Sequence, residues 1–238
     1  KISGFEFAIR VAQKFMSLMT TQTLDGRVYE IDTRLRPSGE AGLLVTSLKA
    51  FEQYQLKNAW LWEHQALVRA RSIAGEQSLR DKFEALRCRI LIQPRDEAKV
   101  REEVLKMRQK MKDHLGSSKE QQKDGIFHLK QDAGGIVDIE FMAQYAVLAW
   151  SGANSDLAHY SDNVRILEDA ANAGCLSSDD ATALIQAYLS ERAESHRLAL
   201  ANQSMQVNAA DWFDTREVVC KLWQRLIDPT ATFALERE

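Results

Sequence analysis

The sequence predicts a mainly α-helical fold with a small β element, α+β in class, and three observations predict it. Apolar residues recur at spacings of three and four along most of the chain. In 4–20, Phe5, Ala8, Ile9, Ala12, Phe15, Met16 and Met19 share one face. Only 3 prolines and 11 glycines occur in 238 residues, too little turn chemistry for many short strands. Alternation of period two, the mark of a half-buried strand, is confined to short stretches.

Each element has its own signal. After the helix at 4–20, Asp25-Gly26 marks a turn. Alternation over 28–36 then predicts a strand, stopped by Pro37-Ser38-Gly39. An apolar run at 43–46 predicts a second strand, so the β element is expected near the N-terminus. Ser47 caps a helix over 48–57. Further helices are expected over 60–72, 76–91 and 97–115, the last ending at Gly116. The polar run 116–125 reads as a mobile loop. A short strand at 126–130 precedes Asp132-Ala133-Gly134-Gly135. Helices follow over 137–150, 162–173, 178–200 and 212–227. Asp162 and Ser177 sit at their starts, and Gly174 and Asp228-Pro229 at their ends. The expected division is 1–94, carrying the β element, and 95–238, a helical bundle.

Composition narrows the function classes. Lys+Arg 31 against Asp+Glu 34 gives a net charge of −3, which argues against a basic nucleic-acid binder. No run of about 18 uncharged apolar residues occurs, so no membrane span is expected. Cys88, Cys175 and Cys220 are odd in number and widely separated. That pattern supports neither a disulfide framework nor a zinc site, and favours a reducing compartment. Lys1 is not Met and nothing near it reads as a signal peptide, so the chain is expected to be a piece of something longer.

Three stretches carry unusual chemistry. On a strand over 28–36, Glu30, Asp32, Arg34 and Arg36 would share one face. A carboxylate in register with two guanidiniums suits Mg²⁺ held beside a polyphosphate. It suits equally a solvated sheet face with cross-strand ion pairs. In 60–71, Glu63 falls on the apolar stripe. A carboxylate there either pairs with an arginine or serves a site. In 128–141, Gly134-Gly135 lets a phosphate or another chain segment approach closely, and Asp138 and Glu140 open the next helix. Acidic residues there also suit the helix dipole.

In this order and spacing, EIDTRLRPSGEAGLLVTS, AWLWEHQALVRAR and HLKQDAGGIVDIEF resemble the bacterial glutamine synthetase adenylyltransferases. The resemblance runs from about residue 5 to 227. The Pro37-Ser38-Gly39 and Trp-Glu-His-Gln forms are similar to the C-terminal, adenylylating half of those two-halved enzymes. The third stretch is shared with the uridylyltransferases of the PII protein. The resemblance implies part of a polymerase-beta-like nucleotidyltransferase domain followed by a helical domain, in a cytoplasmic enzyme. It implies ATP as substrate, Mg²⁺ as cofactor, and AMP transfer to a tyrosine of glutamine synthetase. The implied partners are glutamine synthetase, the PII protein and the other half of the enzyme. Asp32 matches the third catalytic, metal-binding aspartate of the family. Arg34, Arg36, Gly39, Glu63, Lys130, Gly134 and Gly135 are the expected nucleotide-site positions. The family's G-S-x-x-D-x-D aspartate pair occurs nowhere in these 238 residues. It is expected upstream of Lys1, and the chain alone is expected to be inactive. Two alternatives stay open: a helical docking module for glutamine synthetase or PII protein, and a relative of the PII uridylyltransferases.

Overall fold

The structure, a computed structural model, describes residues 2–26, 30–233 and 235. Ten α-helices and one two-stranded sheet are present among them, so the mainly α class with a small β element holds. The chain divides into two compact units, 1–63 and 64–238, where the sequence placed its boundary at 94/95.

The first unit begins with α1 (Gly4–Thr20). Ser3 and Glu6 close a reciprocal capping box at its start. The turn at Asp25-Gly26 forms, with Thr23 and Gly26 exchanging backbone hydrogen bonds of 3.0 and 3.2 Å. The strand expected over 28–36 does not form in its described part. Residues 30–33 are irregular and 34–36 turn, while Val28 and Tyr29 lie outside the described residues. Nor do residues 43–46 form a strand. The reason is local. A strand needs a neighbouring ladder, and here the backbone bonds close turns: Arg36 N to Thr33 O, Gly39 N to Arg36 O and Gly42 N to Gly39 O. Then α2 (Leu48–Lys57) starts at Ser47, whose hydroxyl accepts from Ala50 N at 3.2 Å.

Helix α3 (Leu61–Val68) runs through the division, and the second unit continues with α4 (Gln77–Leu91) and α5 (Glu97–Leu115). The expected loop contains a short helix, α6 (Lys119–Lys123), closed by a Ser118–Gln121 capping box. Strand β1 (Ile126–His128) follows, then α7 (Ile136–Trp150), α8 (Asn163–Asn172), α9 (Ser178–Leu200), β2 (Gln206–Asn208) and α10 (Phe213–Leu226). Among the described residues the sheet is thus here and not at the N-terminus. It pairs β1 antiparallel to β2 with Phe127 opposite Val207. Its apolar side packs Phe127 and Leu129 against Leu198, Val207 and Trp212.

Helix α7 is the centre of this unit. It touches α5, α8, α9 and α10, and twelve of its fifteen residues are buried. A helix apolar on all sides reads as an interior element, and here it is one. Arg87 ties the bundle from within: its Nη2 donates to Ala158 O and His159 O at 2.9 and 2.7 Å. No helix among the described residues is long and apolar enough to cross a membrane.

Candidate functional site

The first group of candidates lies in the loop 30–42. Asp32 turns its carboxylate back on the chain. Oδ1 accepts from Arg34 N at 2.8 Å, and Arg34 Nε and Nη2 donate to the two carboxylate oxygens at 2.6–3.0 Å. This is an Asx-type turn locked by a guanidinium fork. Both side chains stay exposed, 53% for Asp32 and 71% for Arg34. The Arg34 hydrogen bond holds the Asp32 carboxyl at about 2, below its ordinary value of 3.8.

Arg36 does different work. Nε donates to Gly42 O at 3.1 Å, Nη1 to Thr33 O and Oγ1 at 2.8 and 3.1 Å, and Nη2 to Glu40 O at 3.0 Å. One guanidinium therefore gathers the loop from 33 to 42. Ser38 and Gly39 both take left-handed φ, 61° and 57°, to make the turn. Gly42 is required for space, because an added Cβ would lie 1.8 Å from Pro37 O.

Glu63 is buried, but its oxygens meet neutral donors. Tyr54 Oη donates at 2.9 and 3.2 Å and Trp60 N at 2.9 Å. The last bond is the return half of a capping box, so Glu63 fastens the start of α3 to α2. Neither the arginine partner nor the open site expected for it is what its oxygens meet.

The second group sits in the unit 64–238, around the turn between β1 and α7. Lys130 is exposed. Gly134 and Gly135 serve close packing. Gly134 has φ +83°, and a Cβ there would meet Arg216 O at 2.9 Å; at Gly135 it would meet Leu129 O at 2.4 Å. Asp138, at the start of α7, accepts from Gly134 N at 2.7 Å and from Arg108 Nε at 2.5 Å. Arg108 Nη2 reaches Gln131 O at 2.8 Å. Asp132, also buried, accepts from Ser117 N and His128 N at 2.7 and 2.8 Å.

Three further charged groups in this turn region were missed from the sequence. Arg108 continues the α5 stripe of Val100 and Val104, and Glu191 continues the α9 stripe of Leu184 and Tyr188. A charged residue in a buried register was the available signal. Arg216 on α10 lies over the Phe127 ring at 4.2 Å and donates to Ala133 O at 3.3 Å. Glu191 is fully buried with neither oxygen hydrogen-bonded among the described residues. Burial, then the Asp138 charge, push its carboxyl up to about 9.

A divalent ion needs more than Asp32. No group of three or more His, Cys, Asp or Glu residues that could hold a metal occurs among the described residues. The residues present do not by themselves fit a Mg²⁺ site, since Asp32 gives one carboxylate already bonded to Arg34.

Two family models match the chain. Residues 1–86 match glutamate-ammonia ligase adenylyltransferase, and residues 105–220 match GlnD PII-uridylyltransferase. Both descriptions are of nucleotidyltransferases. Over 237 residues the chain is 86% identical to a bifunctional glutamine synthetase adenylyltransferase/adenylyl-removing enzyme of Acinetobacter baylyi. It is 48% identical over 233 residues to a relative of the same name from Pseudomonas aeruginosa. These matches cover 100% and 94% of the chain but 26% and 24% of the relatives. The chain is thus similar over nearly its whole length to glutamine synthetase adenylyltransferases and spans about a quarter of the length of the curated relatives it matches.

Proposed function

We propose that this chain is part of an adenylyltransferase that moves AMP from ATP to a tyrosine of glutamine synthetase. Asp32 carries the reading. It lies in the stretch matched to the adenylyltransferase family, is exposed, and is held ionised by Arg34 across the physiological range. An ionised carboxylate beside a guanidinium can accept the proton of an attacking hydroxyl or hold a cation, while the guanidinium meets phosphate oxygens. Arg34 is exposed and becomes available to phosphate if it releases Asp32, whereas Arg36 supports the loop that presents both. Lys130, Gly134 and Gly135 lie in the other unit, and the two glycines are accounted for by packing. Mg²⁺ would require carboxylates beyond Asp32, in keeping with an aspartate pair elsewhere in a longer polypeptide. The test is AMP transfer by the full-length protein carrying Asp32→Asn. A loss of roughly a hundredfold or more in kcat is expected for a charge acting on the reacting groups. Undiminished transfer would remove Asp32 from the mechanism.

The match of residues 105–220 to a PII-uridylyltransferase model favours a second role for the helical unit. In this role it docks glutamine synthetase or the PII protein. Pull-down of each partner by the chain tests it, and binding to neither would end that reading. Preference for UTP over ATP by the full-length protein would instead make it a uridylyltransferase relative.

A further inference from the structure

Two small cavities, about 170 and 240 Å³, share Lys112, Ala133, Thr232 and Phe233 in their walls, within the unit 64–238. Their cationic groups have spare donors. Arg108, in the wall of the smaller cavity, is 4% exposed, and its Nη1 is buried without a hydrogen-bond partner among the described residues. Lys112, in both walls, makes no ion pair among the described residues. Arg216 lines the larger cavity and uses Nε on Ala133 O.

The carboxylates in the same walls are committed. Asp132 accepts from Ser117 N and His128 N, Asp138 from Arg108 Nε and Gly134 N, and Asp228 from Thr230 N and Oγ1. The imbalance that remains is of donors, since a buried guanidinium N–H without an acceptor is a costly group. An oxyanion supplies several acceptors and negative charge together. Each cavity taken singly falls below the 300 Å³ or so at which whole-ligand pockets begin, and has room for one tetrahedral anion.

We infer that this cavity pair is a phosphate-type oxyanion site formed by Lys112 and Arg216, with the Arg108 charge behind them. The anion is inorganic phosphate or the terminal phosphate of a nucleotide. Its residues all belong to the unit 64–238, and the inference does not rest on the Asp32 loop. Calorimetric titration of the 238-residue chain with potassium phosphate at constant ionic strength tests it. Saturable one-to-one binding is expected, weakened about tenfold or more by Lys112→Gln and by Arg216→Gln. Circular dichroism checks that each variant folds. Should Arg216→Gln disturb the packing on Phe127, the half-buried Lys112 provides the decisive variant. A titration with metal-free ATP separates the sources. Displacement of phosphate, with the same sensitivity to Lys112→Gln, identifies a nucleotide phosphate; no displacement identifies free phosphate. Absence of saturable phosphate binding, binding indifferent to Lys112→Gln, or binding abolished by Arg34→Gln alone overturns the site.

Discussion

Asp32 and Glu191 are two carboxyls that their surroundings drive in opposite directions. For Asp32 the cause is a single neighbour, Arg34, through its side chain first and its backbone N–H second. Replacing it, in Arg34→Gln, is expected to raise the Asp32 carboxyl from about 2 toward its ordinary 3.8. NMR titration of the side-chain carboxyl carbon reads this directly, and an unmoved midpoint would mean the fork does not exist in solution. For Glu191 the cause is burial. The folded chain keeps that proton to about 9, whereas an unfolded glutamate releases it near 4.5. Between those values the folded state binds more protons. Its stability contribution is therefore complete below the lower value and is lost as pH rises toward the upper one. The slope for one proton is at most about 1.4 kcal/mol per pH unit. Glu191→Gln, neutral at every pH, is expected to flatten the decline in urea-denaturation stability between pH 5 and 9. Equal slopes in both proteins would place the titration elsewhere. The sequence put Asp32 and Arg34 on one face but not the bend that joins them, and the burial of Glu191 was not legible, because it depends on the helices packed around α9.

At the level of elements, the long helices were legible, the short α6 was not, and of the two strands only β1 was. Long stripes such as Val100, Val104 and Met111 repeat over several turns, and the structure places α5 over the range they predict. Strands of three residues offer no such repetition, so β2 left no trace, while β1 was found because Gly134-Gly135 punctuates the segment after it. The alternating stretch ending at Arg36 shows the converse. Its charges bond inside a loop, where period two has no meaning. The glycine pair was legible as a close approach, though not of which groups. The neighbours are backbone: Leu129 O for Gly135, and Arg216 O for Gly134. Gly135→Ala forces Cβ against a carbonyl that also accepts from Ile136 N at 2.9 Å. A loss of about 1–3 kcal/mol is expected from such overpacking, read as a lower urea midpoint with unchanged m. A midpoint within error of the parent would show that the turn can open without cost.

Over the whole chain, the two units differ in what holds them. Every buried apolar side chain among the described residues lies at Leu67 or beyond, whereas 2–63 contributes only Gln55 and Glu63 to the buried set. In α1, Phe5, Phe7, Val11, Phe15 and Leu18 are 47–62% exposed. A 17-residue helix whose best-covered face (Ala8, Ile9, Ala12, Met16 and Met19) is only half-buried leans more on its capping box and intrinsic propensity than α7 does. Helix α7, enclosed on all sides, opens only when the bundle does. Amide hydrogen exchange is therefore expected to be graded, with 4–20 exchanging within a few powers of ten of the unfolded rate and 136–150 protected to the global unfolding limit. The N-terminal sequence placed this helix correctly, over 4–20, without saying what covers it. Its apolar stripe is genuine, but amphipathicity marks a face that would bury, and only packing buries it. In the full-length polypeptide, slower exchange of 4–20 than in this chain would show that face covered. Protection of 4–20 equal to that of α7 already in the 238-residue chain would show instead that the first unit has a stability the burial of its side chains does not account for.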